Sequence, residues 1–565
     1  MESTQREEHV RLPSKGGSQT IPFIIANEGC ERIVNAAISA NIIIYLTKEY
    51  KMGSATSALV LFAYQAAASF LPILGAVVSD TLLGRFLTIT LALFAYTIGT
   101  ALLWLTTMVP KLVAGDCGNG HQSCHSPTTF QLVVLFSSFA FLSIGSSGIR
   151  PCSLAFGVDQ FAPYNGAQKD RALKVLFSWY YISMGGSNFI SITLLVYLQD
   201  KFGWKIGFAV PLAIMALVTI LNIVASPLYI KVKPQKSSWA SLFQVLYVAI
   251  KNRHIEIPEA CDGVQYHHNP RESALFPSSK LRFLNKACLL QTRADNSNTE
   301  VFNANRGSIC TVEQVEDLKS TLSVIPIWSA MITCALIQQG QSFRVLQADT
   351  MDRHVGITKF KIPAGSIAVF EVITFMLLSG CYDRYIIPFL QKITGREIVL
   401  TPMKKMGIGL MFSISSALTA SVVEAFRRKQ AIKQGLQEAD GTVNMSALWL
   451  APQSIFSGLT GAFGSVGQIE FYYAVLPKTM GSLALALMFL ATGIANIEAT
   501  IIVKVVKAVT GRGGRVSWLP DNLNHGHYDY YYFLLALQGV INFIYFLFCS
   551  YWFEEPKQIV ESSED

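Results

Sequence analysis

Glu28-Gly29-Cys30-Glu31-Arg32 places three ionised side chains inside an otherwise apolar run at residues 22–46. That run is 25 residues long, enough to cross a bilayer as a helix at about 1.5 Å per residue. A charge at the centre of such a helix costs about 2.5–3.5 kcal/mol on insertion scales, whereas each Leu, Ile or Val returns only about 0.3–0.6 kcal/mol. Two carboxylates and a guanidinium therefore offset most of what the apolar residues contribute. Charges retained at that cost face a water-filled path and act there, so the segment reads as a membrane span carrying a proton or ion relay.

The rest of the chain agrees with a membrane reading. Of 565 residues, 51% are hydrophobic and only 15% charged, and the mean hydropathy is +0.38; a soluble protein carries about 25% charge. The net charge of +8 comes with no nucleic-acid motif or dense basic patch, and basic loops beside an anionic leaflet account for it. The first 20 residues are polar with no apolar core, so no cleaved signal peptide is expected and the first span acts as its own insertion signal.

Apolar stretches of spanning length fall at 22–46, 55–79, 86–108, 130–156, 175–198 and 204–230, then at 321–345, 363–390, 405–426, 446–474, 479–507 and 529–553. Helices are the only open-chain way to satisfy backbone amides in hydrocarbon, and the alternation of a β-barrel is absent. The expectation is an all-α membrane protein with 12 transmembrane helices in two six-helix halves, at 22–230 and 321–553. An N-terminal tail (1–21), a polar linker (231–320) and a C-terminal tail (554–565) share the cytoplasmic side. In the linker, residues 280–290 and 311–322 look amphipathic, the second opening with a Thr311/Gln314 capping box, and both are expected to lie along the inner membrane face. The basic run Arg427-Arg428-Lys429 sits awkwardly with this orientation, since it falls outside.

Glu28, Glu31 and Arg32 are spaced i, i+3, i+4 and share one helix face, with Asn35 continuing the polar line. The same pattern also suits a structural salt-bridge network. The ten cysteines show no CxxC pair or zinc spacing; Cys117 and Cys124, in one Gly-rich loop, form a disulfide if that loop is extracellular, and are otherwise two free thiols. All nine histidines fall outside the predicted spans, which argues against an imidazole relay. No metal site, phosphate loop or Ser/His/Asp arrangement is present, so an enzyme is not expected.

Gly75-Ala76-Val77-Val78-Ser79-Asp80-Thr81-Leu82-Leu83-Gly84-Arg85 resembles the major facilitator signature between spans two and three. Glu28-x-x-Glu31-Arg32, then Gly148-Ile149-Arg150-Pro151 leading to Asp159-Gln160-Phe161, then Phe177-Ser178-Trp179-Tyr180-Tyr181 resemble the proton-coupled oligopeptide transporter family, and within it the plant nitrate transporter 1/peptide transporter branch. The match covers the chain after residue 20. It implies a major facilitator fold whose halves rock about a central cavity, with Asp80, Gly84 and Arg85 as a gating loop. It also implies that Glu28, Glu31 and Arg32 couple proton movement to substrate movement. Arg150 takes the place of a basic residue that pairs with that cluster or holds an anion; as an arginine it can switch partners but not carry the proton.

Departures from the family pattern bear on the substrate. Peptide-carrying relatives follow Glu-Arg with an aromatic and paired tyrosines, whereas this chain reads Ile33-Val34-Asn35-Ala36, and Gly461 stands where relatives have a glutamate in span ten. Glu371 supplies a carboxylate in span eight where relatives commonly have a neutral polar residue; it either faces the cavity or pairs within the bundle. Glu498 in span eleven is a second unusual acid. Some nitrate-carrying relatives use a histidine in span seven; here Gln338, Gln339 and Gln341 offer amides.

The resulting expectation is a proton-coupled symporter of a small anionic solute, with nitrate first and a gibberellin-like carboxylated hormone or other organic acid as the alternative. Peptides are less favoured, and a receptor on a transporter scaffold is the non-transport alternative. Arg150, Glu371, Asn35, Gln338 and Gln341 form the expected substrate contacts. Protons are the coupling ion, no cofactor is required, and the bilayer is that of the plasma membrane or the vacuole.

Overall fold

Among the described residues there are sixteen α-helices; one of them, Ser238–Lys251, lies in the linker, and the others make up twelve spans because several spans are broken, some of them by 3-10 or π turns. The computed structural model describes residues 15–109, 127–164, 166–232, 238–254, 266–267, 277–289, 309–354, 360–381, 387–395, 400–436, 441–476 and 481–553. The helices are α1 Ile21–Lys48, α2 Ser54–Val78, α3 Arg85–Met108, α4 Thr129–Asp159, α5 Gly166–Ile190, α6 Val196–Val224, α7 Ser238–Lys251 and α8 Val312–Gly340. Then follow α9 Arg344–Asp349, α10 Val369–Cys381, α11 Ile387–Thr394, α12 Pro402–Lys433, α13 Ala451–Thr460, α14 Val466–Val475, α15 Gly481–Thr510 and α16 Tyr528–Trp552. Cys117 and Cys124 lie outside the described residues.

Eight helical elements among the described residues are long and apolar enough to cross a membrane. One of them, Arg171–Val224, holds two spans, because Gly203 at φ 75° turns the chain back within it. The other three spans escape a test of length and apolarity for identifiable reasons. The first, α1, carries the three charges; span eight is a 3-10 turn at Ala364–Ala368 leading into α10; span ten is cut by a π turn at Gly461–Ser465 between α13 and α14. Such turns release one backbone bond and commonly mark functional positions.

Within the first half, α3 lies along α4 and α2 beside it. The approach is close enough that a Cβ on Gly145 would stand 2.5 Å from Tyr96 Cβ and 2.6 Å from its backbone nitrogen, which is the role small residues play between membrane helices. The halves meet along α2 with α15 and α5 with α10. They are also tied where α1 and α9 end: Lys48 pairs with Asp349 at 2.7 Å, Arg353 with Asp200 at 3.2 Å, and the Ser54 hydroxyl donates to the Asp521 carbonyl at 2.9 Å. A short parallel pairing of Met351–Asp352 with Val443–Ser446 finishes the same end of the second half.

The linker departs from expectation. Residues 311–322 do not form a separate helix on the membrane face: they are the opening turns of α8, capped by Thr311 and Gln314 and continuous into the bundle. Nothing breaks the helix there, and its apolar side is buried, with Val315 and Leu318 packing against Leu242, Val245 and Leu284. Lys319 is held by Glu316 at 2.7 Å and the Ser278 carbonyl at 2.8 Å. Residues 280–290 hold a 3-10 turn, Arg282–Ala287, rather than an amphipathic α-helix. Backbone bonds from His267 to Cys288 and from Cys310 to Ala287 pin it. Burial pushes the Cys288 thiol up to about 12 and Cys310 to about 11, so both behave as packing groups rather than reactive thiolates.

Arg427 resolves the awkward basic run. Its guanidinium is fully buried, forked on Glu424 at 2.7 Å and bonded to Asn524 at 2.6 Å, while Arg428 donates to the Gly526 carbonyl. Two of those three basic residues are thus engaged within the fold, and an orientation rule that counts loop charges should discount them.

Replacing Gly145 by Ala forces the α3–α4 contact apart and is expected to lower stability by about 1–3 kcal/mol. Thermal unfolding of the detergent-purified chain measures this; a melting temperature equal to that of the native chain would contradict the packing described.

Candidate functional site

The 3.6-residue repeat of α1 puts Glu28, Glu31 and Arg32 on the side facing α4 and α5. Arg32 holds Glu28 through two nitrogens, at 2.6 and 2.8 Å, and the Tyr180 hydroxyl donates to the same oxygen, Oε1, at 3.1 Å. The second oxygen, Oε2, is buried without a hydrogen-bond partner. Three residues along, Glu31 is gripped by Arg150 of α4 at 3.0–3.2 Å and accepts from the Ser146 hydroxyl at 3.1 Å. The carboxylates are 1% and 0% exposed, while Arg32 and Arg150 keep 20% and 14% of their side chains open. Each acid is therefore sealed and each base reaches outward.

The loop motif ties the same region together. Arg85, at the start of α3, bonds Asp159 at the end of α4 at 2.6 Å and lies 3.5 Å from Asp80. Gly84 sits at φ 77°, a conformation that favours glycine, and lets the π turn at Ser79–Leu83 reverse into α3.

Between the halves lies a cavity of two adjoining lobes, about 330 and 360 Å³, sharing Asn188, Gln338, Gln339, Glu371 and Val372. The larger is walled by α1 through Ser39, by α2 through Gln65 and by span seven through Gln341 and Arg344; the smaller is more enclosed by Met331, Phe375 and Met488. Among the wall residues the ionised pair is Arg344 and Glu371, 2.8 Å apart, with Arg344 also donating to Ser454 at 3.0 Å. Gln341 is buried, and neither of its amide atoms has a partner. Gln338 reaches the Ser457 carbonyl at 3.5 Å.

The expected substrate contacts thus divide. Glu371, Gln338 and Gln341 line the cavity; Arg150 and Asn35 line neither lobe, the one engaged by Glu31 and the other accepting from Tyr64 at 2.8 Å. Glu498 is bonded by Gln538 and is not part of either wall. At Gly461 the ring of Phe375 occupies the adjoining space, 3.1 Å from where a Cβ would stand. Arg344 is the functional candidate that sequence reasoning missed. It lies three residues beyond Gln341, inside the stretch 321–345, and the same cost argument that singles out Glu28 singles it out.

Residues 86–519 match the PTR2 family, described as the POT family. Among similar proteins of Arabidopsis thaliana, Protein NRT1/ PTR FAMILY 1.2 is 41% identical over 556 residues, covering 97% of this chain and 92% of that protein. Protein NRT1/ PTR FAMILY 1.1 is 42% identical over 552 residues, covering 97% and 93%. An auto-inhibited POT family peptide transporter aligns with a TM-score of 0.69 at 16% identity, covering 97% of this chain and 99% of that one. A POT family transporter in complex with 5-aminolevulinic acid aligns with a TM-score of 0.61 at 14% identity, covering 95% and 98%. These likenesses carry the two-halved major facilitator fold.

Removing Arg150 leaves Glu31 buried without its counter-charge. Arg150→Gln is expected to cost about 3–5 kcal/mol, and the double variant Arg150→Gln with Glu31→Gln to recover most of it. Melting temperatures of the three purified proteins test this; equal loss in the single and double variants would separate Arg150 from Glu31 energetically.

Proposed function

We propose, from the premise that this chain belongs to the POT family of membrane transporters, that it is a proton-coupled symporter of an anionic solute working by alternating access. The observation that carries the reading is the pair of neighbouring ion pairs, Glu28 with Arg32 within α1 and Glu31 with Arg150 between α1 and α4, whose carboxylates are buried. Buried carboxylates can be neutralised by protons, whereas arginines keep their charge. Protonation of Glu31 frees Arg150, and loss of that proton to the cell side draws Arg150 back. Glu28, with one oxygen unpartnered, is the site for a second proton, which in turn loosens its pairing with Arg32. One anion moving with two protons carries net positive charge inward, which a membrane potential drives by about 2.3 kcal/mol per 100 mV.

With both termini in the cytoplasm, the Lys48–Asp349 and Arg353–Asp200 ties lie at the outer face. On this reading the structure represents an inward-facing state, and those pairs must part when the cavity opens outward. The plasma membrane is the proposed location. Nitrate is one candidate cargo, since the amides of span seven can bond an oxyanion. A carboxylated organic molecule is the other, favoured by the placement of Arg344 in the cavity wall.

In oocytes expressing the chain, uptake of the transported anion is expected to rise as the external medium is acidified. Glu31→Gln should bring that acid-stimulated uptake down to the level of water-injected cells while keeping exchange of labelled for unlabelled solute across the membrane. Acid-stimulated uptake that persists in Glu31→Gln would refute the assignment of the relay.

A further inference from the structure

We infer that Arg344, with Glu371 and Gln341, forms the substrate anchor, and that it holds an organic acid: a carboxylate on an apolar body that also carries a hydrogen-bond donor. The inference rests on the reading of the chain as a transporter of an anionic solute and assigns the cargo-binding end of that machine.

The two candidate cations differ in what they can offer. Arg150 spends its guanidinium on both oxygens of Glu31 and lines neither lobe. Arg344 stands in the cavity wall, and its described bonds are one to Ser454 and one to Glu371. A guanidinium has five N–H groups, so about three remain to grip a carboxylate in a forked geometry.

A second observation points to a ligand at the same place. Gln341 is 4% exposed, lines the lobe with Arg344, and has both its amide nitrogen and its amide oxygen buried without a partner. Gln65, in the same wall, has an unpartnered Oε1. Buried amides are ordinarily satisfied, and leaving one unpaired is costly. A bound solute that accepts from Gln341 beside Arg344 supplies the missing partner.

Glu371 then decides what kind of anion fits. Its carboxylate is 2.8 Å from the Arg344 guanidinium, so a bare inorganic anion docking on Arg344 meets a like charge at once. A solute that also brings a hydroxyl or ammonium donor turns that repulsion into a hydrogen bond, which is specificity by a repulsive element as much as an attractive one. The volume agrees. Lobes of about 330 and 360 Å³ fall in the ~300–1,000 Å³ range of sites for drug-sized ligands. A four-atom ion would leave most of this space empty, whereas an apolar body can lie against Met331, Cys334, Phe375 and Met488.

The test measures binding to the purified full-length chain in detergent, at acidic pH, by calorimetry. The probes are gibberellic acid and mandelic acid, two hydroxylated carboxylic acids of different size, the methyl ester of each, and nitrate. At least one free acid is expected to bind, with its ester and nitrate at least about 10-fold weaker. Arg344→Gln and Gln341→Leu should each weaken that acid by about 10-fold or more, the scale of a lost charge-assisted hydrogen bond. Because Arg344→Gln removes one member of an ion pair, Gln341→Leu is the cleaner variant: it removes an unsatisfied buried amide and should melt no lower than the native chain. Failure of both acids to bind, binding of nitrate in preference, or native affinity in both variants overturns the inference. The relay reading is judged separately. Native uptake indifferent to pH defeats symport but not the anchor, while acid-stimulated uptake untouched by Arg344→Gln and Gln341→Leu defeats the anchor but not symport.

Discussion

The bond between Glu31 and Arg150 is the constraint on which the first half is arranged. A carboxylate that is 0% exposed in the middle of a membrane helix cannot stand alone, because the desolvation of an unpaired ion exceeds what the surrounding apolar side chains contribute. It must be met by a cation from a neighbouring helix, which fixes α4 against α1 in both height and rotation. Once that is set, Ser146 falls within reach of Glu31, and Tyr180 of α5 closes on Glu28. The polar face of one helix thus specifies the packing of two others.

The second half contains two ion pairs with opposite characters. Glu424 and Arg427 are both fully buried, three residues apart on α12, and are sealed by Asn524 and Gln347. Every charge there has several fixed partners, which suits a structural role. Arg344 and Glu371 come from separate spans, keep 12% and 30% of their side chains exposed, and border a cavity. Pairs of this kind retain donors and acceptors for an incoming solute. Exposure and the number of fixed partners, more than charge alone, distinguish a pair that holds the fold from one available for exchange.

Movement needs spans that can bend and a contact that can part. The π turn at Gly461–Ser465 interrupts span ten beside the cavity, and another at Ser191–Leu195 interrupts span five. Between the halves, Lys48, Asp349, Arg353 and Asp200 make contacts at one end, where side chains with substantial exposure, Lys48 among them, exchange partners at little cost. The interior pairs of the first half are held far more tightly. Of the four side chains between the halves, Lys48 and Asp200 are the exposed ones, while Arg353 is buried.

The amino-acid sequence by itself determined the class of molecule. Apolar stretches of fixed length, split by a polar segment, leave helices as the only solution in hydrocarbon, and the charge triplet of span one reveals itself by its insertion cost. Glu28, Glu31 and Arg32 were legible because they are local: their shared face follows from helical spacing alone. The local pairing of Glu28 with Arg32 follows from the same spacing, whereas the family resemblance left Arg150 either pairing with the cluster or holding an anion. That Arg150 binds Glu31 and stays out of the cavity wall, that Arg344 reaches across to Glu371, and that Gln341 is buried unpaired are facts about helices distant in the chain. Residues 311–322 carried the right capping box, yet their amphipathic side faces the linker's own apolar residues rather than lipid. Periodicity reports that a face is apolar but not what covers it. Only the tertiary structure decided which charges pair and which remain available, because the energy of a buried charge depends on the atoms brought beside it.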